Sequence, residues 1–326
     1  MRRLERTRRW RVEHGSTDTT LPSCRPPAGL LQQQMCNDPG VDARGARLTG
    51  TTVRPMLPAD VAAAADAVRR GDWGDREAFF RFATGHPNCH PILAERDGEI
   101  VGTGVATVSG RVGWVGTIWV APALRSRGLG RALTEAVIGE LEGSGCRTLL
   151  LVATEAGRPV YERLGFEILT HDHALVASGR GTGRTLSAVD RSVRRFAIAE
   201  DLDAAAALDR WATGEDRRHI LATCDGWVVD GAPGEVTAFT VRSPFGGVAT
   251  VARDAPDALR LLDLRRCEAG PEGRVRAGVL DGNAGGLERL VAEGWVEVWS
   301  GPRMIRGEPL AWTPTGIWSQ FNHALG

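Results

Sequence analysis

A chain of 326 residues is long enough for two domains of ordinary size, and its 40 basic and 40 acidic residues give a formal net charge of zero. This balance excludes a strongly basic overall field, which would indicate a nucleic-acid partner. The chain contains no lysine, which excludes a lysine nucleophile or Schiff base.

The remaining composition argues against membrane insertion and metal binding. No apolar run approaches the roughly 18 residues of a transmembrane helix. The six cysteines are scattered singly, without a Cys-x-x-Cys pair or a histidine at metal-ligand spacing. We therefore expect no membrane association, no metal site, no disulfide scaffold and a reduced, cytoplasmic location.

Residues 1–51 differ from the rest of the chain. They are rich in arginine and then in Ser, Thr, Pro and Gln, without a sustained hydrophobic period, which predicts a disordered extension. A native start at Met35 would account for the same composition. A nucleic-acid-binding or targeting arm is the other alternative, and it depends on the basic run Met1–Arg11 alone.

From residue 52 onward, strand and helix signals alternate. The pair Asp97-Gly98 predicts a β-hairpin turn, and Asp60 is placed to cap the helix that follows it. In chain order the predicted elements are strand Thr52–Pro55, helices Val61–Arg70 and Arg76–Phe82, a loop His86–Pro91, strands Ile92–Glu95, Glu99–Ser109 and 112–121, helix Ala132–Leu141 and strand Thr148–Ala153.

A short Arg/Gly segment lies between one of these strands and the next helix, and it reads Arg125-Ser126-Arg127-Gly128-Leu129-Gly130-Arg131. Glycine allows the backbone to turn tightly and to bring its N–H groups close to a bulky anion. The helix that follows directs its free N–H groups and its positive dipole end to the same place. The segment therefore predicts a pyrophosphate-binding loop.

A second motif follows about thirty residues later, at Thr154–Phe166, and includes Tyr161, the only tyrosine of the chain. Together the two segments resemble the GCN5-related N-acetyltransferase (GNAT) superfamily, which carries Arg/Gln-x-x-Gly-x-Gly/Ala followed by Tyr-Glu-x-Leu-Gly-Phe. The resemblance covers roughly residues 52–177, a whole domain of that family.

The resemblance implies an α/β (α+β) fold, with a mixed, mostly antiparallel sheet flanked by helices. Two central parallel strands would splay apart, and acetyl-CoA would bind in the opening as co-substrate. Tyr161 would protonate the departing thiolate, a role that suits a phenol of pKa ~10; the alternative is a core aromatic side chain. The implied cofactor-binding residues are Ile118, Trp119, Val120, Arg125, Ser126, Arg127, Gly128, Leu129, Gly130, Arg131, Thr154 and Gly157.

The general base is not identified by the resemblance. Many relatives carry a carboxylate on the strand before the loop, whereas residues 112–119 contain no acid. A base could act through water or be unnecessary. The side-chain candidates are His86, His90 and Glu155, and the C-terminal carboxylate of Gly326 is a further one.

The second half of the chain repeats the first. After a Gly/Arg-rich linker at residues 178–192, Val193–Leu202 matches Val53–Val61, and 283–295 matches 154–166. The second copy lacks the Arg-x-x-Gly-x-Gly loop and has Leu290 at the tyrosine position. We expect residues 52–177 to be catalytic and residues 193–326, including the C-terminal tail, to be a degenerate GNAT-like domain.

These inferences predict an acetyl-CoA-dependent N-acetyltransferase in which a small-molecule amine attacks directly within a ternary complex. Nucleic acid is not an expected partner, and a homodimer is compatible with the sequence. The alternatives are a non-catalytic acyl-CoA-binding sensor or scaffold, and a protein N-acetyltransferase.

Overall fold

A computed structural model describes residues 50–71, 73–181 and 193–325 of the chain. The predicted extension up to residue 49, the predicted linker from residue 182 and Gly326 lie outside these ranges. Within them, no helix combines the length and the apolar content that a membrane span requires.

The described residues form two successive series of strands and helices. The first series is β1 (Thr51–Pro55), α1 (Val61–Arg70), α2 (Glu77–Gly85), β2 (Cys89–Arg96), β3 (Glu99–Ser109), β4 (Val112–Val120), α3 (Leu129–Gly143), β5 (Thr148–Val152), α4 (Arg158–Arg163) and β6 (Glu167–Ser178). The second is β7 (Val193–Arg195), α5 (Ile198–Thr213), α6 (Arg218–Leu221), β8 (Asp225–Asp230), β9 (Val236–Arg242), β10 (Val248–Ala252), α7 (Ala255–Ala269), β11 (Arg274–Leu280), α8 (Ala284–Ala292), β12 (Val296–Gly307) and β13 (Ile317–Ser319).

Two local predictions are confirmed. Asp97 and Gly98 both have left-handed backbone angles (φ 52° and 80°) and join β2 to the antiparallel β3, as expected for a tight hairpin. Helix α1 spans Val61–Arg70 as predicted and buries one alanine-rich face, which includes Ala64 and Val68.

Two other local predictions are wrong. Asp60 does not cap α1, because its own backbone is already helical (φ −82°, ψ −17°) and its carboxylate accepts a hydrogen bond from the Leu57 N–H at 2.8 Å. The predicted loop His86–Pro91 ends early, because Cys89 begins β2 and hydrogen bonding to β3 outweighs the turn preference of Pro91.

The internal repeat is visible in a matched pair of ionic clusters. Arg54 of β1 pairs with Asp60 at 2.7 Å and with a glutamate on β2 at 2.8 Å. Arg194 of β7 pairs in the same way with Asp201 at 2.7 Å and with Asp230 on β8 at 2.8 Å. In both copies one arginine therefore ties the first strand to the first helix and to the second strand.

The strands form two sheets, and the larger one contains strands of both copies. Its order is β1-β2-β3-β4-β5-β12-β6-β11, whereas the smaller sheet has the order β13-β10-β9-β8-β7. Strand β12 of the second copy lies antiparallel between β5 and β6 of the first, and β6 lies between β12 and β11. The two copies thus exchange a strand, which the sequence did not predict.

The sheet of the first copy is covered differently on its two faces. Helix α3 covers one face with buried Leu133, Val137 and Leu141. Helices α1 and α2 cover the other face in a core that also includes Phe239 and Phe321 of the second copy. The second copy is therefore part of the wall on that face.

Candidate active site

Strands β4 and β5 are parallel neighbours only at their beginning. They pair from Val112 with Thr148 to Trp114 with Leu150, and β4 then runs on to Val120 without a strand partner on that side among the described residues. Past the last pair, β5 is hydrogen-bonded to β12 on its other side. The two strands therefore enclose a V-shaped opening, as predicted for the fold.

A bulge in β4 lies three residues beyond its last pair with β5. Thr117 has φ 52°, a left-handed conformation that is rare for a β-branched residue, and the β3–β4 register shifts at this point. The hydroxyl of Thr103 on β3 donates to the Thr117 carbonyl oxygen at 3.0 Å and holds the bulge in place. The distortion therefore lies in the part of β4 that is not paired with β5.

The predicted pyrophosphate loop forms the start of α3. Ser126 (φ 61°) and Gly128 (φ 90°) are both left-handed, and Gly128 is the residue from which the helix begins. No atom lies within 4 Å of the position that a Cβ of Gly128 would occupy, so its conformation rather than crowding demands glycine. The first N–H groups of the 15-residue helix point out of this turn toward the loop.

The three arginines of the loop differ in how they are engaged. Arg125 donates through Nε to the Val120 carbonyl oxygen at 3.1 Å, and Arg131 pairs with Glu135 one turn along α3 at 2.9 Å. Arg127 is exposed, and none of the ion pairs or hydrogen bonds within the described ranges involves it. Arg127 thus has the guanidinium that is most available to an incoming anion.

Tyr161 lies in α4 beyond the end of β5. Its ring is buried, packs edge-to-face on Phe166 at a centroid distance of 6.2 Å and lies over Gly157. Burial raises the pKa of Tyr161 to about 12, so the phenol keeps its proton at any physiological pH. Its hydroxyl has no hydrogen-bond partner among the described residues, which leaves it available to donate.

The remaining predicted cofactor contacts are placed as follows. Thr154 accepts from the Gly157 N–H through its hydroxyl at 3.2 Å, so both residues stabilise the start of α4. The Trp119 indole is buried against α1, so only its backbone can meet a ligand in the opening. Ile118 and Val120 are half-buried and pack in the core under α3.

No contact brings the base candidates His86, His90 and Glu155 to Tyr161. His86 stacks on Phe82 at 4.8 Å and faces His219 at 5.0 Å, and burial lowers its pKa. His90 lies within β2, Glu155 is exposed, and Gly326 lies outside the described ranges. Across those ranges, no group of three or more His, Cys, Asp or Glu side chains is arranged to hold a metal ion.

A buried acid that the sequence gave no reason to select lies behind β4. Glu215 of the second copy accepts a hydrogen bond from the Trp114 indole N–H at 2.8 Å. Complete burial raises its pKa to about 7, although nearby Arg217 and Arg303 oppose this shift. Glu215 is enclosed by protein, and we interpret it as a link between the two copies.

The C-terminal tail also reaches β4; the sequence analysis brought the tail toward the active site only through the candidate carboxylate of Gly326. Phe321, Ala324 and Leu325 are buried, whereas His323 between them is exposed. A Cβ on Gly116 would lie 2.2 Å from the Ala324 Cβ, so the tail can pack here only because residue 116 is glycine. The tail therefore covers β4 two residues beyond its last pair with β5.

The corresponding strands of the second copy, β10 and β11, enclose no such opening. The short strand β13 pairs with β10 through Ser319 and Ile317, and its Ile317 carbonyl oxygen accepts from Asn283, next to β11, at 3.1 Å. The Trp318 side chain is buried in a hydrophobic core that also contains residues of α7 and β11. Helix α7 begins after Asp254, whose carboxylate accepts from the Asp257 N–H at 2.9 Å.

Comparison with known families and proteins agrees with this geometry. Residues 61–166 match the model of the acetyltransferase (GNAT) family. The chain is 40% identical over 90 residues to a mycothiol acetyltransferase of Streptomyces coelicolor, covering 26% of this chain and 28% of that one. It is 35% identical over 161 residues to a mycothiol acetyltransferase of Streptomyces avermitilis, covering 47% and 50%. The chain thus spans about half, or less, of the length of these curated relatives.

Solved structures show the same fold over most of the chain. A proposed acetyltransferase of Pyrococcus horikoshii superimposes with a TM-score of 0.72 at 19% identity, covering 87% of this chain and 98% of that one. A tandem GNAT protein from the clavulanic acid biosynthesis pathway gives a TM-score of 0.53 at 14% identity, covering 79% and 99%.

Proposed function

We propose that this chain, whose residues 61–166 match the acetyltransferase (GNAT) family model, is an acetyl-CoA-dependent N-acetyltransferase whose first copy is catalytic. One observation carries the proposal. The opening between β4 and β5, the left-handed start of α3 at Gly128 and the buried phenol of Tyr161 all belong to the first copy, and the second copy has none of them.

The chemical groups of the first copy, and their positions, both suit acetyl-CoA. The unpaired edge of β4 offers backbone groups to an extended amide-containing arm. The loop at residues 125–131 offers backbone N–H groups, a helix N-terminus and the free guanidinium of Arg127 to a pyrophosphate. Tyr161 supplies the proton for the thiolate, because it is neutral and lacks a competing partner.

A small-molecule amine is the acceptor that we favour. The second copy and the tail cover the face of the sheet on which α1 and α2 lie, which leaves less room for a protein acceptor. Two curated relatives are named mycothiol acetyltransferase, so the amine of a thiol precursor is a first choice, followed by amino sugars and aminoglycoside-like amines.

One observation favours the alternative of a non-catalytic acyl-CoA sensor. Strand β4 carries no carboxylate that could act as general base. Such a sensor would bind acetyl-CoA without transferring its acetyl group, and Tyr161 would then be dispensable.

The test is a calorimetric titration of the full chain with acetyl-CoA, followed by an assay for coenzyme A release. The acceptor panel is S-methylcysteine amide, glucosamine and kanamycin. We expect one site per chain and turnover of at least one amine. Two sites would contradict the assignment of a degenerate second copy, binding without turnover would favour the sensor, and no binding would overturn the proposal.

A further inference from the structure

The C-terminal tail places the His323 side chain near the V-shaped opening between β4 and β5. Phe321 and Leu325 are buried anchors, and Asn322 accepts from the Ala324 N–H at 2.7 Å, so residues 321–325 form a fixed turn. His323 is the exposed member of this turn, and Asn322 is half-buried.

The neighbours of His323 lie on the β4 side and on the β5 side of the V-shaped opening. On the β4 side, Ala324 packs directly on Gly116. On the β5 side, the His323 ring lies 4.9 Å from the Trp299 ring of β12. A Cβ added to Gly301 would be 2.3 Å from that indole and 3.1 Å from the carbonyl oxygen of Ala153, the residue that follows β5. The imidazole therefore lies beside Trp299 of β12 and belongs to the residue next to Ala324, which packs on β4.

The charges around His323 favour the neutral, unprotonated form of a basic group at this position. Although part of the His323 side chain reaches solvent, the protein atoms packed around its ring are the main cause that lowers its pKa, and the guanidinium groups of Arg303, Arg76 and Arg276 lower it further, against the opposing Asp172 carboxylate. Asp172 is already bonded to Arg303 at 3.2 Å, which weakens its effect. The same arginines would lower the pKa of an acceptor ammonium, so the neutral amine that must attack is also favoured.

We propose that His323 is a catalytic residue of the first copy and takes the proton of the acceptor amine. The inference rests on the proposed acetyl transfer. The amine nitrogen attacks the thioester carbonyl carbon, an imidazole nitrogen accepts the amine proton, the C–N bond forms and the C–S bond breaks. Tyr161 gives its proton to the leaving thiolate, so the products are the N-acetylated amine and coenzyme A, and both side chains re-equilibrate with solvent. His323 thus takes the role for which β4 has no carboxylate.

The test uses the full chain with His323→Gln and His323→Ala, with His171→Gln as a matched control. His171 is an exposed histidine on β6 that pairs with Asp281. Coenzyme A release is followed with the amine that the wild type turns over fastest among S-methylcysteine amide, glucosamine and kanamycin. Acetyl-CoA affinity is measured by calorimetry, and the His323 resonance is followed by NMR in 13Cε1-histidine-labelled protein.

We expect His323→Gln to lower kcat ~100-fold, which is the scale of a lost general base. Its acetyl-CoA affinity should stay within about threefold of the wild-type value. The acidic limb of the pH–rate profile should disappear. Added imidazole should restore part of the rate of His323→Ala, and acetyl-CoA alone should shift the His323 resonance. His171→Gln should match the wild type in each measurement.

Wild-type rate and pH profile in His323→Gln would overturn the role of His323 and leave the acetyltransferase assignment intact. A resonance that does not respond to acetyl-CoA, together with no rescue by imidazole, would do the same. A wild type that neither binds acetyl-CoA nor acetylates any amine would overturn the proposed function itself.

Discussion

The two copies of the repeat treat the same gap in the sheet in opposite ways. In the first copy, β4 and β5 part after three residue pairs and leave an edge for a ligand. In the second copy, β13 pairs with β10 and fills the equivalent space with the buried indole of Trp318. On our proposal, a ligand therefore fills the opening between the two strands in the first copy, whereas the chain itself fills it in the second copy.

The helices that begin next to these gaps, α3 and α7, also differ in whether their N-terminus is open to an anion. Helix α3 begins at Gly128 in a left-handed turn with no acidic residue in its first turn. Helix α7 begins after Asp254, whose carboxylate already accepts from the Asp257 N–H, and Pro256 removes one donor. A helix N-terminus that carries its own anion is a poor place for a pyrophosphate, so the second copy is closed chemically as well as sterically.

One segment serves both copies. After β13 closes the second gap, the same chain continues to Ala324 and covers Gly116 at the edge of the first gap. On our proposal, the closed gap in the second copy and the completed wall in the first therefore depend on the same ten or so C-terminal residues.

Trp318→Ala tests whether β13 is structural filling, and it has the largest expected effect. Removal of a fully buried tryptophan should lower the free energy of unfolding by about 3–5 kcal/mol, measured by urea unfolding. Trp318→Phe is the control and should lower it much less, because the ring remains and the Trp318 indole N–H has no partner in the described structure. A second acetyl-CoA site in Trp318→Ala would contradict the idea that the second copy is also closed chemically.

Gly128→Asp places a carboxylate at the start of α3, where the second copy has Asp254 at the start of α7. A side chain at φ 90° strains the turn, and a carboxylate at the helix start repels phosphate, so we expect acetyl-CoA affinity to fall at least ~100-fold. The control is Gly145→Asp at the other end of α3, where φ is 87° and no atom would crowd a Cβ within 4 Å. Equal loss of affinity in both variants would show that backbone strain, and not the local charge, is responsible.

Tyr161→Phe separates catalysis from binding at the position where the second copy has Leu290. We expect kcat to fall ~100-fold through loss of the proton donor, with unchanged acetyl-CoA affinity. The raised pKa of about 12 predicts that loss of the Tyr161 proton will not reduce the wild-type rate until pH approaches that value. Wild-type turnover in Tyr161→Phe would remove the phenol from the mechanism and favour the sensor hypothesis.

Local features of the first copy were predictable from the sequence, because they depend on neighbouring residues. The hairpin at Asp97-Gly98, helix α1 and the turn at Gly128 follow from backbone preferences and hydrophobic periodicity. The match of Asp60 with Asp201 also located the repeat, although the expected cap proved to be an ion pair with the preceding arginine.

Features that depend on long-range packing were not predictable. The exchange of β12 into the first sheet, the Trp114–Glu215 hydrogen bond and the contact of Ala324 with Gly116 join residues more than 100 positions apart. No local pattern indicates such partners. The aromatic residues of the tail indicated only packing, and the one expectation that brought the tail toward the active site, the Gly326 carboxylate as a base, came from the resemblance and not from the spacing of those residues.

Asp254→Ala has the smallest expected effect and asks whether the acid at the start of α7 is there for stability or for exclusion. Loss of its hydrogen bond to the Asp257 N–H should cost about 1 kcal/mol and lower Tm by about 2–4 °C. Asp254→Asn keeps an acceptor oxygen without the charge, so it should retain most of the wild-type Tm. Neither variant should bind a second acetyl-CoA in calorimetry, because β13 still fills the gap. A second site in both variants, with wild-type Tm in Asp254→Asn, would mean that charge alone closes the second copy and that β13 is secondary.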